Sequence, residues 1–426
     1  MIEELKKRNQ PIVIYGAGRI GAYIGSDLIE NGIEIMCFAV SGSTPSGRTL
    51  LGKPVVSIDD IKDADSYFFI IAISDKNEDK RIRCKLASLG VKDYTWFDKD
   101  EIATVKSRYI KNYWQSHGFN NVDNHCVEEH FVILDRTENG KYFRFRLPLL
   151  NGLPYPDELE RIHQEPGFAA LFQKQYGDTH FLSSESYDLP DNLSVNSGMD
   201  FYAALCYKDR RIVDFEYPSW VKMIQAGASL TNRRVADITD DSGMNISNRN
   251  RDYSEGSALY WIWKNTSGQN YIGFFQYGRY FVSDAECMRE FLDYDLITTI
   301  PTIMTKGMKP FFTEFYLLDS DWKLMGDGIR LFGEDYYQTF LKYQVSRFYF
   351  SSNVFCAKRS IFDELCTFVF SVTEYVDKVY RDRMIIREDR FMGYIIENLV
   401  SIYIMHNHSK LKKATVDMHF LKGKDA

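Results

Sequence analysis

A strand that runs straight into three spaced glycines and then into a helix leaves few folds open to a chain. Residues 11–40, PIVIYGAGRIGAYIGSDLIENGIEIMCFAV, carry that pattern. Ile12 to Tyr15 predict a strand, and Gly16, Gly18 and Gly21 place GxGxxG at its exit. A helix is predicted from about Arg19 to Glu30, stopped by Asn31-Gly32, with a second strand over Ile33 to Val40. Such glycines permit a tight turn and close backbone approach, and the helix N-terminus turns N–H groups toward an anion such as phosphate.

Residues 1–105 are therefore expected to form a Rossmann-like parallel sheet, with Gly16, Gly18, Arg19 and Gly21 as cofactor-binding candidates. The second strand ends Phe38-Ala39-Val40-Ser41, without the acid that holds ribose hydroxyls, so NAD(P) is not expected there. Arg48 is a cation that a 2′-phosphate would need, although loop arginines are ordinarily solvated. Farther on, GKPVVSIDDIKD and SYFFIIAIS predict a helix and a buried strand. The YGAGRIG turn with the GKPVV and FFIIAIS segments resembles small Rossmann-like domains found beside sugar-modifying and glycan-assembly enzymes.

The chain has 426 residues, enough for two or three domains. Its 45% hydrophobic and 26% charged content is that of a globular protein. A net charge of −7 and a pI near 5.7 argue against nucleic acid as a main partner, because a phosphate backbone demands a basic face. The seven cysteines (37, 84, 126, 206, 287, 356 and 366) show neither CxxC nor zinc spacing, as expected for reduced thiols in a cytoplasmic protein. No stretch approaches the ~20 apolar residues that span a bilayer, which leaves at most peripheral contact at the inner membrane face.

Residues 106–198 are expected to connect two domains. HFVILD and KYFRFRLPL flank the turn Glu138-Asn139-Gly140, a hairpin signal, and SSESYDLPDNLSVNSG is a loop. His117, His125, His130 and His163 lack paired spacing and are assigned no catalytic role. From Met199, FYAALCY is a strand, YPSWVKMIQAGASL has mixed turn and helix character, and NYIGFF is a strand with QYGRYF at its exit. After Pro301 the chain is expected to be more helical. Phe391, Tyr394, Ile395, Leu399 and Ile402 fall on one helical face, and the basic tail HNHSKLKKATVDMHFLKGKDA is expected to be peripheral.

Between these strands lies DDSGMNISNRNRDYSEGSALYWIWKN, residues 240–265. Its aromatic run Tyr260-Trp261-Ile262-Trp263 beside so many polar groups has the chemistry of a sugar or nucleotide pocket, or of a wet loop beside a core helix. The stretch resembles a glycosyltransferase-like family of capsular, exopolysaccharide and O-antigen gene clusters, first catalogued as a domain of unknown function. The resemblance rests on Asp240, Gly243, Asn245, Ile246, Ser247, Asn250, Tyr253, Glu255, Leu259, Tyr260, Trp261, Trp263, Lys264 and Asn265, then on Asn353, Arg390, Gly393 and Glu397. Where the family has H-Y-R-R-Y-F, this chain has Gln276-Tyr277-Gly278-Arg279-Tyr280-Phe281.

The resemblance implies a GT-A-like α/β domain over 199–426 that moves sugar from a nucleotide-sugar donor, a UDP-sugar first among them, to a saccharide or lipid-linked saccharide. Asp240, Glu255 and Arg279 are the catalytic candidates, with Asp240 preferred to Glu255 as base. Asn245, Ser247, Asn250, Tyr253, Tyr260, Trp261, Lys264, Asn265, Tyr277, Tyr280, Asn353 and Arg390 are the substrate-binding candidates. Asp319-Ser320-Asp321 imitates a DxD site for Mn²⁺ or Mg²⁺, because two hard carboxylates on one turn suit such ions. Homo-oligomerisation is left open. Two rival readings stand beside the transferase. One is an NAD(P)-dependent sugar-nucleotide oxidoreductase or epimerase, for which Tyr260-x-x-x-Lys264 has dyad spacing but lies about 240 residues past the glycines. The other is a non-catalytic glycan- or nucleotide-binding protein.

Overall fold

The computed structural model describes residues 2–8, 10–42, 47–72, 79–116, 131–138, 140–149, 162, 167–182, 198–209, 217–281, 283, 285–350, 353–387 and 389–420. The four histidines assigned no role above and Cys126 lie outside them, as does most of the 183–198 loop. The protein is mixed α/β and divides into two compact units. The first is residues 1–130 with 150–153, and the second is 131–149 with 154–426. The region expected to connect two domains is thus shared between them.

In the first unit, β1 (Ile12–Tyr15) pairs in parallel with β2 (Ile35–Val40) on one side and β5 (Phe68–Ile71) on the other. β4 (Lys53–Ser57) extends the sheet beyond β2, with β3 (Thr49–Leu50) at that edge, and β6 (Tyr94–Trp96) extends it beyond β5. The chain leaves the centre one way and returns the other, which is doubly wound topology. Every residue of β1 and β5 is buried, as central parallel strands covered on both faces require. GKPVV forms β4, and only short 3₁₀ turns follow it where a helix was expected. Helix α2 (Arg19–Glu30) packs against α4 (Lys99–Ser116), so this unit runs past residue 105.

The second unit is built on eight strands in the order β12-β11-β10-β13-β18-β15-β19-β9. In chain order these are β9 (His180–Leu182), β10 (Met199–Cys206), β11 (Val221–Ala226), β12 (Ile238–Thr239), β13 (Tyr271–Phe275), β15 (Leu296–Thr299), β18 (Phe355–Lys358) and β19 (Lys413–Val416). All run parallel except β18, which is antiparallel to both its neighbours. β10 holds the centre of the parallel part, with Phe201 to Cys206 opposite Val221 to Ala226 and Met199 to Ala203 opposite Tyr271 to Phe275. The chain goes from β10 outward to β11 and β12, then returns to β13 on the far side. Phe201, Trp220 and Phe275 fill the core beneath with ring centroids 4.9–6.1 Å apart. Burying side chains of this size contributes roughly 1.5–3 kcal/mol each.

Two stretches fold differently from expectation. VKMIQA is strand β11 rather than turn and helix, because Val221 and Ile224 to Ala226 bury against β10 while Lys222 and Met223 stay at the surface. The tail is not peripheral: β19 lies inside the sheet between β15 and β9, with Ala414 and Val416 buried. Lys413 enters the interior because its Nζ donates to the carbonyls of His408 and Leu411, at 2.7 and 3.1 Å. Burial pulls that ammonium down to about 8.

A four-stranded sheet joins the hairpin of β7 (Phe131–Glu138) and β8 (Lys141–Pro148) to β16 (Thr302–Ile303) and β17 (Phe348–Tyr349), and β14 (Arg279–Phe281) pairs with β20 (Met418–Phe420). Besides α1 (Ile2–Lys6), α2, α3 (Asp79–Ser88) and α4 of the first unit, the described helices are α5 (Phe168–Tyr176), α6 (Asn250–Tyr253), α7 (Gly256–Asn265), α8 (Ala285–Glu290), α9 (Met308–Phe315), α10 (Asp319–Phe332), α11 (Glu334–Tyr343), α12 (Arg359–Asp382) and α13 (Phe391–His406). α13 buries more than the one face expected: Met392, Ile396, Val400 and Tyr403 are inside along with Phe391, Ile395, Leu399 and Ile402. It packs against α5, α6, α11 and α12, and a helix apolar all round belongs in an interior.

Candidate functional site

In a sheet wound both ways from a central strand, ligands settle outside the carboxyl ends of the strands where the order reverses. A cavity of about 600 Å³ lies there, at the exits of β10, β11 and β13. Cys206 to Asp209 continue β10 into it, Ala226 and Leu230 follow β11, and Gln276, Tyr277 and Arg279 follow β13. Asn250, Arg251, Ser254 and Glu255 reach it from the segment before α7, and Arg390 from the start of α13.

One amide organises the far wall. Gln276 Nε2 donates to Glu255 Oε1 and to Glu397 Oε1, the latter at 2.7 Å, while its Oε1 accepts from Arg279 Nη1. Tyr349 donates its hydroxyl to the other oxygen of Glu397, and Asn353 Nδ2 donates to Glu255 at 3.4 Å. Arg390 Nη2 donates to Ser254 Oγ at 2.9 Å and stands 3.8 Å from Glu255 Oε2. Both loop residues in this contact have left-handed backbone, Ser254 at φ 53° and Arg390 at φ 62°. Two carboxylates and two guanidiniums are thereby held in one network.

The electrostatics follow from burial. Loss of solvent and the charge of Glu255 push Glu397 above its usual value, while Tyr349, Gln276 and Arg279 restrain the rise. Burial pulls the Arg279 guanidinium down, against the Glu397 and Glu255 carboxylates that favour its charge. Asp209 is pushed up chiefly by burial; the Cys206 N–H, which it accepts at 2.6 Å, and Arg390 oppose this. A cleft that holds several shifted groups is where proton transfer can be run near neutral pH.

Of the candidates, Glu255, Arg279, Asn250, Tyr277 and Arg390 line the same cavity, with Asn353 behind Glu255. The other candidates do not reach the cavity lining. Asp240 is fully buried, accepting from the N–H groups of Gly227 and Ala228 at 2.9 and 3.0 Å and from Ser247 Oγ at 2.5 Å. Its carboxylate holds the turn after β11 and does not line the cavity, whereas Glu255 does. Ser247 completes that clasp by accepting from Ser229 N at 3.0 Å. Asn245 donates to the carbonyl of Gly243 at 3.1 Å within its own loop. Tyr253 is buried, and Tyr280 packs beside Tyr217 on the core.

The aromatic run packs against helix α12. Trp263 stacks on Phe370 of α12 at 5.5 Å and Tyr260 meets the same ring edge-on at 5.0 Å, while Lys264 Nζ lies 3.2 Å from the Trp263 ring centre. The dyad-like spacing of Tyr260 and Lys264 therefore serves helix packing. Trp261 Nε1 donates to the Ser242 carbonyl at 3.0 Å, and Asn265 both donates to Met244 O and accepts from Met244 N, at 2.8 and 3.0 Å. These two residues staple the 241–245 loop to α7.

The DxD triplet is a helix start. Asp321 accepts from Leu318 N at 2.7 Å and from Arg387 Nη1 at 2.5 Å and also from the Tyr380 hydroxyl, while Asp319 is exposed near Lys309 at 3.6 Å. The two carboxylates have separate partners in the structure. No group of three or more His, Cys, Asp or Glu that could hold a metal occurs among the described residues.

In the first unit, Gly16 and Gly21 are required by sterics. A Cβ on Gly16, at φ 131°, would meet Ala72 O at 2.5 Å, and one on Gly21 would meet Gly16 O at 1.9 Å. Gly18 and Arg19 begin α2 at the surface. Arg48 Nη2 donates to the Ala17 carbonyl at 3.2 Å, and Ser41, just past β2, pairs its hydroxyl with Tyr15 OH at 2.7 Å.

Sequence reasoning missed Lys208, Asp209 and Arg251 as lining residues, and Glu397 as the partner of Glu255. The strand-exit rule applied to β10 would have found the first two.

Residues 207–408 match the family described as a domain of unknown function (DUF4422). The DUF4422 span takes in the cavity wall from Tyr207 onward, and it ends just after α13. No curated protein matches the chain. Among solved structures, the apo form of the WbbM bifunctional glycosyltransferase is similar, at 20% identity and a TM-score of 0.47. That likeness covers 53% of this chain, which spans 45% of that one. No described helix is long and apolar enough to cross a membrane.

Proposed function

We propose that the second unit is a GT-A-like glycosyltransferase moving sugar from a nucleotide-sugar donor to a saccharide, in the assembly of a surface polysaccharide. The observation that carries this is the cavity: four cationic side chains, Lys208, Arg251, Arg279 and Arg390, face the same space as the Glu255 and Asp209 carboxylates, at a strand-order reversal. The resemblance of the 240–265 and 353–397 segments to glycosyltransferases of polysaccharide gene clusters supports the same reading, and a lipid-linked acceptor accords with it.

Transfer breaks the bond between the anomeric carbon and the diphosphate oxygen and forms one to an acceptor oxygen. Negative charge grows on the leaving diphosphate, and fixed cations stabilise it most effectively where water is excluded. Arg279 and Arg390, held in the carboxylate network, have that role, with Lys208 and Arg251 at the rim. The acceptor hydroxyl loses its proton to a carboxylate within hydrogen-bond reach. Glu255 is that base, and its bonds from Gln276 and Asn353 leave Oε2 turned toward Arg390 and the cavity. A UDP-sugar is the first donor to test. Metal dependence is read by including and omitting Mn²⁺.

A thermal-shift screen of UDP- and GDP-sugars with and without Mn²⁺, beside NAD(H) and NADP(H), tests the proposal, since a ligand of the native state raises its stability by mass action. One nucleotide sugar is expected to stabilise the chain, with the shift lost in Arg279→Ala and in the exposed Arg390→Ala. Mass spectrometry should then detect the sugar on a saccharide acceptor. Stabilisation by a dinucleotide alone would favour the oxidoreductase, and donor binding without turnover the non-catalytic reading.

A further inference from the structure

We propose that Arg390 serves Glu255 and the donor diphosphate in turn: the guanidinium that neutralises the base leaves it to meet the phosphates, so the base is released by the donor. This rests on the transferase reading and adds an order to it, donor before acceptor. The two oxygens of Glu255 are held differently. Oε1 accepts from Gln276 Nε2 and from Asn353 Nδ2, the latter at 3.4 Å. Oε2 faces Arg390 Nη2 at 3.8 Å, an ion pair too long for a hydrogen bond. The same Nη2 donates to Ser254 Oγ at 2.9 Å. The Glu255 side chain is 12% exposed and that of Arg390 63%, so the carboxylate is the fixed member of the pair and the guanidinium the movable one.

The backbone beneath the pair is set by close packing. A Cβ on Gly393 would meet Ser254 Cβ at 3.1 Å, and one on Gly256 would meet Ile396 Cδ1 at 2.4 Å, so the starts of α7 and α13 are pressed together. The left-handed backbone of Ser254 and Arg390 lies at this junction, and such conformations persist where the surroundings enforce them. A change of partner by Arg390 is therefore a rotation of its side chain, with no shift of either helix. Arg279 differs. Its Nη1 donates to Gln276 Oε1, and the same amide is bonded to both carboxylates, which keeps that guanidinium in place. An ion pair with one well-exposed partner is weak. A diphosphate offers two charges and paired oxygens to the planar guanidinium fork, a better match than one carboxylate oxygen at 3.8 Å. Once Arg390 has moved to the phosphates, Glu255 Oε2 faces the cavity with that cation removed, ready for an acceptor hydroxyl.

Calorimetric titration of the full chain with UDP and with GDP reads the exchange. Glu255→Gln removes the competitor for Arg390, so the nucleotide that binds is expected to bind this variant about two- to fivefold tighter, the factor a weak pair allows, although the variant has lost the base. In the Arg390→Met background, titrated at higher nucleotide concentration, Glu255→Gln should leave the affinity unchanged. Plain repulsion between Glu255 and the phosphates gives the same tightening in both backgrounds, and that result would overturn the proposal, as would no tightening in Glu255→Gln alone. A crystal structure of the parent with the nucleotide bound needs no variant. Arg390 is expected on a phosphate oxygen and farther than 3.8 Å from Glu255 Oε2, and a bound nucleotide beside an intact pair refutes the exchange. Binding of neither nucleotide to the parent or to Glu255→Gln would bring down the donor reading and this inference with it. Binding without the coupling removes this inference alone.

Discussion

Glu397 shows how much a single side chain can reveal about this site. Its carboxyl is pushed up by burial and by Glu255, so the folded protein favours its protonated form more than the unfolded chain does. The sign of the linkage is then fixed: stability from this group is present at low pH and is lost as pH rises from the ordinary carboxyl value of 4.5 through the higher folded-state value. Glu397→Gln removes the charge and lets an amide face Gln276 and Tyr349. The thermal midpoint of this variant should fall less than that of the parent between pH 4.5 and pH 8, leaving it higher at pH 8 by on the order of a few degrees. A parallel pair of curves would mean that Arg279 already neutralises Glu397. Asp240 teaches the opposite lesson at the same scale. In the sequence it has every mark of a catalytic acid, but backbone N–H groups and Ser247 occupy its oxygens.

At the scale of elements, the 240–265 motif is one folded device, a loop stapled to α7. Its tightest point is Gly243, at φ 54°, where a Cβ would meet Asn265 Oδ1 at 2.0 Å. Gly268, at φ 87°, has open space around it. Gly268→Ala should therefore cost only the left-handed backbone strain of roughly 1–2 kcal/mol. Gly243→Ala pays that strain and also displaces Asn265 from Met244, so urea unfolding should show it less stable than Gly268→Ala by about a further 1 kcal/mol. Equal losses would show that the staple gives way freely. The motif was visible in the sequence because its residue spacing is distinctive, but its chemistry was not. Asn, Ser and Asp at such spacings look the same whether they bind a ligand or their own backbone. Strands β1, β2, β10 and β13 were legible from apolar runs bounded by glycine and polar residues. β11 was not, since adjacent Lys222 and Met223 break the alternation, and β19 was hidden by the lysines around it.

At the scale of the whole molecule, each compact unit has its own principal sheet and core, and the cavity lies in the second. Chains divided in this way commonly depart from a single cooperative transition. Calorimetry of the full chain should therefore resolve two transitions, and a nucleotide-sugar donor should move only one of them. At 100 times its dissociation constant a ligand specific for the native state adds about 2.7 kcal/mol to the unit that binds it, and nothing to a unit that unfolds independently. Hydrogen exchange identifies the unit: donor should slow exchange in β10, β11 and β13 while leaving β1, β2 and β5 unchanged. Protection confined to the glycine-turn sheet would place nucleotide recognition in the first unit, and the cationic cavity of the second would need a different ligand. Protection spreading equally through both sheets, with one merged transition, would show that the units unfold together and that the binding energy stabilises the whole chain.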